Sequence, residues 1–83
     1  METQIIKLLE TEDVADILGC TKEYVTKVVR LGLLKTHGSL WNYGDKVYLV
    51  LPEDLWEFIQ ARKTFQEKIS REDFDKKVSD IFA

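Results

Sequence analysis

Lys22, Lys27 and Arg30 fall in the segment TKEYVTKVVR, whose apolar residues Tyr24, Val25, Val28 and Val29 recur at three- and four-residue intervals. On a helix, that period turns the valines inward and leaves Lys22, Glu23, Thr26, Lys27 and Arg30 facing out. Ammonium and guanidinium groups displayed this way make charge-assisted hydrogen bonds to phosphates, and Arg30 can also take two acceptors on a guanine edge. Lys22, at the helix start, can meet a phosphate approaching the backbone amides. Glu23 opposes phosphate unless it accepts from a cytosine amino group. Tyr24 can offer its hydroxyl to a duplex backbone or pack against the preceding helix. A second polar and aromatic group, His37, Trp41, Asn42, Tyr43 and Lys46, follows in a stretch that loses the helical period. His37 and Lys46 can contact phosphate; Trp41 and Tyr43 are either contact residues or ordinary hairpin aromatics pairing across strands.

Charge is distributed unevenly along the chain. The whole sequence has 12 Lys and Arg against 15 Asp and Glu, a formal net charge of −3, which argues against a strong nonspecific nucleic-acid binder. From Cys20 to Tyr48, however, five basic residues (Lys22, Lys27, Arg30, Lys35 and Lys46) face two acidic ones (Glu23 and Asp45), a local balance of +3. The remaining segments then carry −6.

Other chemistries find little to work with. The sequence has no GxxxxGK phosphate loop, no metal-ligand spacing, and only one cysteine (Cys20) and one histidine (His37). Carboxylates such as Glu12 and Asp13 are explained by a helix start. The expectation is a protein that is not an enzyme and takes no cofactor or metal. A lone cysteine forms no internal disulfide, and the N-terminal METQIIKLLETEDV reads as neither a secretory leader nor a membrane span, so a cytoplasmic, non-membrane protein is expected.

Positioning these residues requires a small number of elements. With 83 residues, of which 45% are hydrophobic and 33% charged, the chain can build one modest core. Residues 4–9, QIIKLL, are a short strand or a lead-in. Thr11 is placed to cap a first helix, with Glu12 and Asp13 in its first turn, Val14, Ile17 and Leu18 on one face and Gly19 as its stop. Thr21 caps a second helix that Gly32 ends. The three-residue link Gly19-Cys20-Thr21 joins the two as an αα-corner. A hairpin follows, with strands near 34–41 and 46–50 and a turn at either Tyr43-Gly44-Asp45-Lys46 or His37-Gly38-Ser39. Pro52 begins a third helix carrying Leu55, Phe58, Ile59 and Arg62 on one side with Trp56 beside them. Ser70 starts a last helix with an apolar stripe of Phe74, Val78, Ile81 and Phe82, to be buried on its own domain, a second copy or another protein. The fold class is mainly α with a small β-hairpin, divided into a domain over 1–66 and a C-terminal amphipathic helix over 67–83.

The stretch from Glu10 to Phe58, ETEDVADILGCTKEYVTKVVRLGLL followed by KVYLVLPEDLWEFI, resembles the DNA-binding domains of phage excisionases and MerR-like winged helix-turn-helix regulators. The resemblance rests on the order of elements: a short helix ending Ile17-Leu18-Gly19, the Thr21 cap, Arg30 before Gly32-Leu33, a hairpin, and a helix directly after its second strand. It implies a winged helix-turn-helix fold and sequence-specific binding of double-stranded DNA by a transcription regulator or recombination accessory factor. The helix begun by Thr21 would enter the major groove with Lys22, Thr26, Lys27 and Arg30 as contacts, and the hairpin between Gly38 and Lys46 would be the wing. A homodimer or cooperative oligomer on DNA would supply the surface a single small module lacks. The alternative is a protein-binding module that uses the Phe74, Val78, Ile81 and Phe82 stripe.

Overall fold

The computed structural model describes residues 7–42 and 44–83, without the side chains of Asn42 and Asp45. The expectations for residues 4–6 and for Tyr43 lie outside the described residues. Among the described residues, five helices and a three-stranded antiparallel sheet make a small, mostly helical domain: β1 (Leu9–Glu10), α1 (Thr11–Leu18), α2 (Lys22–Arg30), β2 (Gly38–Asn42), β3 (Asp45–Val50), α3 (Pro52–Ala61), α4 (Lys63–Lys68) and α5 (Arg71–Phe82).

The start of α1 differs from the expectation. Thr11 is the first helical residue, not the cap, because the chain passes from β1 straight into the helix. Glu10 precedes α1, and its N–H donates to the Asp13 carboxylate at 3.1 Å. Thr11 is buried, and its Oγ1 accepts the Tyr48 N–H at 2.9 Å. The pairings Leu9↔Val50 and Glu10↔Leu49 would continue to residues 11 and 48 if β1 went on. The Thr11 hydroxyl supplies the acceptor that a continued strand would have supplied from its backbone.

Gly19 closes α1 in the left-handed region, at φ 69°. This lets the Gly19 and Cys20 amides donate back to the Asp16 and Ala15 carbonyls, at 3.3 and 3.0 Å. The turn ends at Thr21, whose Oγ1 accepts the Tyr24 N–H at 3.2 Å and so caps α2. α2 closes in the same way as α1: Gly32 at φ 76° and Leu33 donate to the Val29 and Val28 carbonyls, at 3.0 and 2.9 Å. Val25 and Val28 join Val14, Ile17 and Leu18 in the core, which pins the two short helices together.

Leu34 follows the α2 terminus directly and is only 2% exposed. Residues 34–36 pair with no strand, and the His37 N–H donates to the Leu49 carbonyl at 2.8 Å, so the first hairpin strand begins at Gly38 and not near 34. The register runs from Gly38↔Leu49 to Asn42↔Asp45, so the hairpin closes between Asn42 and Asp45 and not at His37-Gly38-Ser39. β3 lies between β2 and the short β1.

Pro52 occupies the start of α3, where its missing N–H breaks no helical bond, and Leu55, Phe58 and Ile59 are buried. Arg62 follows the helix and lays its guanidinium 5.6 Å from the centre of the Phe58 ring. α4, which the sequence pattern did not reveal, spans residues 66 and 67. Ser70 Oγ accepts the Asp73 N–H at 3.2 Å and caps α5. Phe74 then enters the same core as α1 and α3, its ring centroid 5.1 Å from that of Trp56.

Candidate functional site

An open groove of about 770 Å³ runs between α2 and β3, with the end of β1 and the start of α1 at its side. It gathers Lys22, Glu23, Thr26, Lys27 and Arg30 from α2 with Lys46 from β3. Val25 and Val28 are held in the core by α1, and this fixes which face of α2 looks into the groove. The hairpin register then brings Lys46, some sixteen positions on from Arg30, to the same hollow (46 − 30).

The charged groups are available to a ligand. Lys22, Glu23, Lys27, Arg30 and Lys46 are all exposed. Among the described residues the side-chain ion pairs are Lys63–Glu67 at 4.0 Å and Arg71–Asp75 at 3.1 Å, and neither touches the groove. Lys46 Nζ lies 5.4 Å from the centre of the Tyr48 ring, whose face holds the ammonium over the sheet. Thr26 is half-buried and its hydroxyl donates to the Lys22 carbonyl at 3.0 Å, so toward a ligand it offers acceptor lone pairs. At the α2 N-terminus the Thr21 side chain takes the Tyr24 N–H and the Thr21 carbonyl takes that of Val25. The Lys22 and Glu23 amides have no acceptor within the helix, and the positive end of the helix dipole is open beside Lys22.

Three carboxylates share the hollow. Glu23 was visible in the sequence; Glu10 and Glu12 were not, because they come from a separate segment that the β1–β3 pairing and α1 carry to the groove. Four cations therefore face three anions, counting Lys22, Lys27, Arg30 and Lys46 against Glu10, Glu12 and Glu23. Leu31, 62% exposed, adds an apolar spot at the end of α2 that the helical period did not single out as surface.

The other expected residues sit elsewhere. Tyr24 is half-buried, its ring 6.1 Å from Phe65 of α4, and faces a second hollow of about 460 Å³ bounded by Cys20, Arg62 and Phe65. Burial pushes the Cys20 thiol up from its ordinary pKa, with Lys68 acting in the opposite sense, which favours the protonated thiol. His37 and Trp41 are exposed but do not line the groove; Trp41 pairs with Lys46 across the hairpin, and Asn42 pairs with Asp45 at the turn. Of the C-terminal stripe, Phe74 is buried, and Val78, Ile81 and Phe82 are partly buried against the same core. Lys7 Nζ lies 5.5 Å from the centre of the Phe82 ring.

Among the described residues no cluster of three His, Cys, Asp or Glu side chains could hold a metal ion, and no helix is long and apolar enough to cross a membrane. No protein-family model matches the chain, and comparisons with curated proteins and with solved structures give no match.

Proposed function

We propose that this domain is a winged helix-turn-helix module that binds double-stranded DNA in a sequence-specific way, as a small transcription regulator or an excisionase-like recombination accessory factor. In this reading α1, the turn at Gly19-Cys20-Thr21 and α2 form the helix-turn-helix, and the β2–β3 hairpin is the wing. The observation that carries it is the groove itself: two elements far apart in sequence bring Lys22, Lys27, Arg30 and Lys46 to one exposed hollow with no ion-pair partner among the described residues. α2 is the element that enters the major groove. Lys22 and Lys27 fix its register on phosphates, Arg30 is placed for phosphate or guanine, and Lys46 adds a contact to the neighbouring backbone.

A protein-binding module working through the C-terminal stripe has less surface available. Phe74 is 2% exposed, and its neighbours on the stripe are packed against the core.

The test is a fluorescence-anisotropy titration of the folded protein against a randomised duplex pool at low and moderate salt, with sequencing of the retained fraction. Salt-dependent binding with an enriched motif is the expected result, and the slope of affinity against salt counts the phosphates neutralised. Absence of binding at low salt overturns the proposal.

A further inference from the structure

We propose that the free edge of β2 is a self-association surface, on which a second copy of this chain lays its own β2 antiparallel and joins the two three-stranded sheets into one. β3 is the central strand, so β2 has a neighbour on one side only. In an antiparallel ladder every second residue of such a strand turns its N–H and C=O away from its partner. Among the described residues no other element sends a hydrogen bond to that edge.

Exposed edges are ordinarily guarded by lysine, by proline or by a covering element. β2 reads Gly-Ser-Leu-Trp-Asn, with neither charge nor proline. Leu40 is 53% exposed and Trp41 is 74% exposed, and as consecutive strand residues they flank the edge on opposite faces. An open edge recognises a strand; the side chains around it decide which strand.

A second copy of β2 fits this edge for two reasons. A two-fold axis at Leu40 sets Leu40 against the partner's Leu40 and Trp41 against the partner's Ser39, so each large ring meets a small neighbour. An uncharged strand also meets itself without opposing like charges. Such a contact is isologous and closes at a dimer. The groove between α2 and β3 is lined by no residue of β2, so pairing at this edge leaves it open in both copies and does not depend on DNA binding. One strand pair with its flanking side chains falls below the ~1,200 Å² that bounds weak interfaces, so the dimer is weak and depends on concentration.

The experiment is sedimentation velocity on the full chain, from low to high micromolar concentration, for the native sequence, Leu40→Lys, Trp41→Lys and Leu33→Lys, each checked for native circular dichroism. The native chain and Leu33→Lys are expected to shift to dimer, and the two β2 variants to weaken it about tenfold or more, Leu40→Lys by setting like charges directly across the axis and Trp41→Lys by replacing the ring that meets the partner's Ser39 with an edge charge. In a Cys20→Ser background, Leu40→Cys is expected to form a covalent dimer under mild oxidation while Leu33→Cys does not. This second readout stands if the lysine variants fail to fold. A monomer at every concentration overturns the proposal, as does a dimer that Leu33→Lys weakens and folded Leu40→Lys does not.

Discussion

Thr11→Val isolates the hydrogen bond that ties the start of α1 to β3 at the side of the groove. Valine keeps the shape of threonine and replaces the hydroxyl with a methyl, so the Tyr48 N–H loses the acceptor it reaches at 2.9 Å. An unpaired buried donor costs about 1–3 kcal/mol. Tyr48 is half-buried, and water reaches part of this site, so the lower part of that range applies, about 1–2 kcal/mol. With a urea slope of about 1 kcal/mol/M for a small domain, the unfolding midpoint is expected to fall by roughly 1–2 M. Thr11→Ser keeps the oxygen and loses one methyl, at a cost of about 0.8 kcal/mol. Hydrogen exchange at the Tyr48 amide should accelerate in the valine variant and stay near native in the serine variant. If Thr11→Val is at least as stable as Thr11→Ser, the hydroxyl is not the acceptor that stands in for a continued β1, and the account of how β3 is held against α1 is wrong.

Five further substitutions probe the other links. Gly32→Ala meets nothing within 4 Å of the added Cβ, so its effect is that of φ 76° alone; a loss of about 1–2 kcal/mol in urea unfolding is expected, and no loss would place the α2 terminus elsewhere. Phe74→Ala removes a ring that is 2% exposed and should cost about 3–5 kcal/mol. A loss under about 1 kcal/mol, the size of a surface change, would mean that α5 is not part of the core. In DNA titrations Arg30→Ala should weaken binding several-fold with the fold intact, and Lys46→Ala should reduce the salt slope by about one. Equal affinities for the native chain and the alanine variant would remove that residue from the interface. The raised pKa of Cys20 means that the unfolded chain releases its proton at lower pH than the folded one. Its contribution is therefore complete below the unfolded pKa and is lost as pH rises through the alkaline range toward the folded pKa. The native chain should lose stability there relative to Cys20→Ala, and parallel curves for the two would contradict the shift.

The helices were legible where a period and a terminator coincide. Val25 and Val28 between Thr21 and Gly32, and Leu55, Phe58 and Ile59 after Pro52, state both the helix and its inner face. α4 was not legible because KTFQEK contains a single apolar residue, Phe65, which is only partly buried, and no side-chain cap. Its position is set by Phe65 against Tyr24 and Phe58, a tertiary contact with no local signature. Thr11 was misread for a related reason: a threonine ahead of an acidic turn has the sequence of a cap, and only the pairing of β1 with β3 makes it a helical residue facing a strand. Three of the four groove cations could be read from α2, and the fourth, Lys46, from the expected hairpin. Glu10 and Glu12 could not, since nothing in their own segment says that the sheet carries them beside Lys22 and Lys27.

Those two carboxylates bear on how the groove would discriminate. A net charge of −3 describes the chain but not the surface a duplex would meet, where four cations face three anions in one hollow. Phosphates placed anywhere along an all-basic strip gain attraction, and this favours nonspecific binding. In a mixed hollow, only a register that sets phosphates by Lys22, Lys27, Arg30 and Lys46 and away from Glu10 and Glu12 is favourable; a shifted register brings like charges together. The acidic groups then lower affinity for random sequence more than for the correctly placed site. On this argument Glu12→Gln strengthens binding to random duplex more than to the selected motif, and the ratio between the two affinities falls.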